Sequence, residues 1–102
     1  MISEKTRSSS LPQGALRAFT PENVEALPHG RVGCYALYTG DDCIFVGKGD
    51  IRARLLAHLR GDNFCIMMHR PTHWVHLVTP HIDAEGRRLV LTLKPRCNQQ
   101  VA

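Results

Sequence analysis

The chain has 102 residues, 43% of them hydrophobic and 22% charged, which is the balance of one ordinary globular domain and not of a disordered or membrane-spanning chain. Thirteen Lys and Arg against nine Asp and Glu give a net charge of +4, and every cation except Lys5 and Arg7 lies at Arg17 or beyond, which suits a polyanionic partner. Four cysteines, Cys34, Cys43, Cys65 and Cys97, form no C-x-x-C pair and follow no apolar leader, so neither a zinc ribbon nor a disulfide framework is expected, and reduced thiols in the cytoplasm are.

The first ten residues are mostly polar, hold no apolar run and include Ser8-Ser9-Ser10, so residues 1–18 are expected to be a flexible tail before one domain over 19–102. Thr20-Pro21-Glu22 reads as an N-cap, a proline at the first helical position and an acid that suits the helix dipole. Pro28 keeps that helix short. Val32–Thr39 (VGCYALYT) is strand-like, Gly40-Asp41-Asp42 supplies turn residues, and Cys43–Gly47 (CIFVG) resumes the strand pattern, so a hairpin is predicted. Gly47-Lys48-Gly49 should break its second strand.

Asp50 is placed to cap a helix over Ile51–Arg60, with Gly61 able to end it. Ile51, Leu55 and Leu59, widened by Leu56, give that helix a core face, while Arg54 and His58, four apart, share another. Asn63–Arg70 reads as a turn of helix or a packed loop, stopped by Pro71. His73–Thr79 (HWVHLVT) should be a third strand, with Trp74 in packing, and Asp83 should cap a last helix that buries Leu89, Val90 and Leu93 and ends before Pro95. The expected fold is α/β, a small central three-stranded antiparallel sheet flanked by helices. His69, His73 and His76 do not make a zinc set: Pro71 interrupts the first pair, and a strand points the second pair to opposite faces.

Gly33-Cys34-Tyr35 and, ten residues on, Phe45-Val46-Gly47 resemble the paired tripeptides of the GIY-YIG endonuclease superfamily. Lys48, Asp50, Arg54 and His58 are similar to that family's basic residue after YIG, helix cap, helical arginine and following histidine, and Glu85, Pro95 and Asn98 to its final acid, proline and asparagine. The likeness runs over about 32–98. It implies a nuclease hydrolysing DNA, or RNA, with Mg²⁺ or Mn²⁺.

Cleaving a phosphodiester requires an activated water, a cation for the charge on phosphorus and a proton for the departing oxygen. Glu85 is the expected metal ligand, since a carboxylate suits a hard cation. Arg54 can grip two phosphate oxygens, with Lys48 and Arg52 as further phosphate contacts. Tyr35 is implied as general base or water positioner, its hydroxyl needing Lys48 or the metal to lower a pKa of about 10. His58 is a second proton carrier, Gly47 belongs to the substrate face, and Asn98 holds the site in shape. The family's second tyrosine is Phe45 here, and Tyr38 should face away from Tyr35. Loss of that hydroxyl leaves two readings: a weakened enzyme, or a module that binds nucleic acid without cutting it.

Overall fold

A computed structural model describes residues 16–98. In chain order its elements are β1 (Arg17–Ala18), α1 (Pro21–Glu25), β2 (Val32–Thr39), β3 (Asp42–Asp50), α2 (Ile51–Leu59), α3 (Phe64–His69), β4 (His73–Val78) and α4 (Ile82–Leu93). The sheet has the order β1-β4-β2-β3, with every neighbouring pair antiparallel.

β2 lies between β3 and β4, so it is buried continuously from Gly33 to Tyr38. The two-residue period of a strand then sorts its side chains into two cores. Tyr35 and Leu37 join Val24, Ile44, Ile51, Leu55, Ile66 and Trp74 beneath α1, α2 and α3. Cys34, Ala36 and Tyr38 join Cys43, Val46, Val75 and Leu89 beneath α4.

The caps explain most of the boundaries. Thr20 accepts from the Asn23 N–H, Asp50 from Ala53 and Asn63 from Ile66, each across one turn. Gly61 takes a left-handed φ of 85° just after α2. α4 differs from the expectation: its cap position is His81, without a side-chain bond, and Asp83 falls inside the first turn, where an acid still favours the helix dipole.

Two further expectations are corrected. Gly47-Lys48-Gly49 does not break β3, because Gly33 pairs with Gly49 and Cys34 with Lys48, and the strand runs on to Asp50. The sheet has four strands where three were expected, since Arg17–Ala18 pairs with β4. The buried Trp74 indole donates to the Ala18 carbonyl at 3.1 Å, and the Arg17 guanidinium lies 5.8 Å from its ring centre, so the tryptophan holds this short strand. The expected tail over 1–18 falls outside the described residues up to position 15.

Cys65 and Cys97 are bonded to each other, which corrects the expectation of four free thiols. The link ties α3 to the turn after α4, over a separation that leaves no signature in the sequence. Cys34 and Cys43 are free and buried. No helix among the described residues is long and apolar enough to cross a membrane.

At Gly33 a β-carbon would run into the Leu77 carbonyl oxygen on the neighbouring strand, a backbone atom that cannot swing away. Gly33→Ala should therefore lower the unfolding free energy by about 1–3 kcal/mol, read as a lower urea midpoint at unchanged m-value.

Candidate functional site

Strand alternation turns Tyr35 toward α2, and the helical turn between Arg54 and His58 brings both toward the same end of β2. The Tyr35 hydroxyl lies 2.6 Å from His58 Nε2, and His58 Nδ1 lies 2.8 Å from Asp62 Oδ1. A carboxylate only accepts, so Nδ1 carries the ring proton, Nε2 is the acceptor, and the tyrosine donates to it. Arg54 completes the row with a nitrogen 3.7 Å from the other Asp62 oxygen.

Burial governs the protonation of this row. His58 is 4% exposed, and desolvation holds its imidazole below the usual histidine range, only partly opposed by the hydrogen bond and charge of Asp62. Tyr35 has no exposed surface, and burial pushes its phenol up to about 12 although Arg54 pulls the other way. The phenol therefore stays protonated near neutral pH, and the acceptor in the pair is His58. The cation acting on Tyr35 is Arg54, where Lys48 or a metal was expected.

Phe45 belongs to the same cluster. The register shift between β2 and β3 at Leu37/Tyr38 leaves Ile44 without a partner and carries Phe45 onto the Tyr35 side. Its ring meets His58 edge-on at 5.2 Å and lies 6.3 Å from Tyr35. Tyr38 packs in the opposite core, as strand alternation requires. Gly47 is where the tyrosine needs room, because a β-carbon there would collide with the Tyr35 hydroxyl.

The remaining expected residues lie around the α4 side of β3. A cavity of ≈ 310 Å³ opens there, its walls including Gly47, Lys48, Asp83, Gly86, Arg87 and Asn98. Lys48 is ion-paired with Asp83 and holds that carboxyl below its usual range. Asn98 makes two bonds to Val46, accepting from its N–H at 2.7 Å and donating to its carbonyl at 2.8 Å. Arg52 turns elsewhere, toward His29 at 3.5 Å.

Glu85 does not line this cavity; the inward position on α4 is Gly86. The Glu85 carboxylate is held by Arg88 at 2.8 Å, and its field, with those of Lys48 and Asp83, acts on Cys34, on the opposite side of β2 from Tyr35. The expected catalytic set is thus divided: Tyr35, Arg54 and His58 stand together with Phe45 and Gly47, and Glu85 stands apart. Mg²⁺ or Mn²⁺ commonly takes one or two carboxylates. Among the described residues that line the cavity the carboxylate is Asp83, which is paired with Lys48.

Sequence reasoning missed Asp62. Its signal was available, four residues after His58 and directly after a helix-ending glycine. Comparisons with protein-family models, with curated proteins and with solved structures return no match.

Because the folded-state pKa of His58 lies below its unfolded value near 6.5, protonation favours the unfolded chain. The corresponding stability is present above about pH 6.5 and is lost as pH falls toward the folded pKa. Urea unfolding between pH 7.5 and 5 should show a decline that His58→Gln flattens, and Asp62→Asn should move the imidazole titration still lower by NMR.

Proposed function

We propose that this chain is a GIY-YIG-like module that binds nucleic acid at the sheet edge around Gly47 and Lys48, with its phosphodiester chemistry weakened. The observation that carries this reading is the condition of the chemical groups. The Tyr35 hydroxyl is covered, Phe45 has none to offer, and Glu85 is bound to Arg88 away from both. Meanwhile Lys48, Arg54, Arg87 and Arg88 remain exposed, and phosphate oxygens can exchange for the carboxylate partners of Lys48, Arg54 and Arg88. DNA is the proposed partner, with RNA as the alternative polyanion, and the cytoplasm the proposed compartment.

A second reading, a divalent-metal-dependent endonuclease, is favoured by one specific feature. The chain of hydrogen bonds Tyr35–His58–Asp62 is ordered as a proton relay, from a hydroxyl through a neutral imidazole to a carboxylate, which simple phosphate binding does not call for. In that reading His58 is the base, Tyr35 its donor, Arg54 steadies the phosphate, and Glu85 must leave Arg88 before it can hold a metal.

Fluorescence anisotropy with labelled duplex DNA and RNA, run beside plasmid nicking with Mg²⁺, Mn²⁺ or EDTA, separates the two. The module is expected to bind in a salt-sensitive manner, to lose about one unit of salt slope in Lys48→Ala or Arg87→Ala, and to leave plasmid intact. Metal-dependent nicking that vanishes in Glu85→Ala or Tyr35→Phe would install the enzyme instead, and Phe45→Tyr should then raise its rate. Absence of binding to either nucleic acid at low salt would defeat both.

A further inference from the structure

Where α3 meets the turn after α4, three side chains of metal-ligating types come together. α3 is capped by Asn63 and presents Cys65 and His69 one turn apart. Cys97 is brought to them by the turn after α4, where its N–H donates to the Ile44 carbonyl at 2.8 Å. His69 Nδ1 lies 3.9 Å from each of the two sulfurs, and all three donor atoms fall within 4.8 Å of one another. Zinc bond lengths of about 2.3 Å to sulfur and 2.0 Å to nitrogen place such donors about 3.6 Å apart at a tetrahedral angle. Two thiolates and an imidazole are the donors that borderline-soft Zn²⁺ selects.

We propose that Cys65, His69 and Cys97 form a redox-gated zinc site: bonded sulfurs when oxidised, three ligands to one Zn²⁺ when reduced. The steps balance. A dithiol reductant gives two electrons and two protons to the Cys65–Cys97 bond and leaves as its own disulfide. Zn²⁺ then displaces the two thiol protons and is held by two thiolates and the ring nitrogen.

His69 Nδ1 now donates to the Cys65 carbonyl at 2.9 Å, so ligation through that atom moves the ring proton to Nε2 with no change of charge. Asp62 lines a second cavity, of ≈ 540 Å³, together with Cys65, His69 and Cys97, but its oxygens face His58 and Arg54. The fourth position therefore goes to water or an outside ligand, and the exposed His69 side of the cluster gives access to it.

The test uses the full chain, reduced anaerobically with a phosphine and freed of it, and Zn²⁺ titrated against a chromophoric chelator. One equivalent is expected to bind the reduced chain and none the oxidised one, with Co²⁺ in its place giving a thiolate charge-transfer band. His69→Ala, which leaves the sulfur bridge intact as a fold control, should weaken binding in the reduced state by about 100-fold. His73→Ala should not. Three results would overturn the proposal: a reduced chain that takes up no Zn²⁺, uptake unchanged in both His69→Ala and Cys97→Ser, or a count of four reactive thiols in the denatured oxidised chain before any reductant. Circular dichroism on Cys97→Ser distinguishes a lost ligand from a lost fold.

Discussion

A buried hydroxyl must find an acceptor, and for Tyr35 that acceptor is His58. Leaving such a group unsatisfied costs about 1–3 kcal/mol, so the bond constrains everything around it. The cap at Asp50 and the length of α2 must present position 58 to the sheet, where position 54 faces solvent. The chain must then turn at Gly61 to bring Asp62 back under the ring, because His58 needs a partner for its second nitrogen. Gly47 must carry no side chain, or the hydroxyl has no space. Three separated segments are thereby fixed by one strand tyrosine.

The opposite face obeys a different rule. There the groups that matter are charged and near the surface, and they are paired: Lys48 with Asp83, and Glu85 with Arg88. Surface pairs of this kind contribute little to stability and exchange readily for other ions. The chain thus has a buried Tyr35–His58 pair on one side of β2 and surface ion pairs on the other.

Much of this was readable from residue order. The hairpin, α1 and α2 follow from local signals, since a proline, a capping side chain or an alternating strand acts within a few residues of itself. β1 was not legible, because two residues carry no periodicity and the strand exists only through Trp74, 56 residues away in sequence. At the candidate site, Tyr35 and His58 lie together with Arg54 nearby, as the strand and helix periods bring them to one side of β2. Glu85 turns to Arg88 while its neighbour Gly86 takes the inward direction on α4, and a one-residue step rotates a helical side chain by about 100°. The Cys65–Cys97 contact depends on how the chain end returns to α3, which no local pattern records.

That returning segment has another effect. Arg96 and Cys97 donate to the carbonyls of Cys43 and Ile44, and Asn98 engages both backbone groups of Val46. An outer strand ordinarily offers such groups to any passing chain, inviting the edge-to-edge association that leads to aggregates. Here the first half of β3 is already occupied. A foreign strand would therefore meet a shortened ladder along that edge.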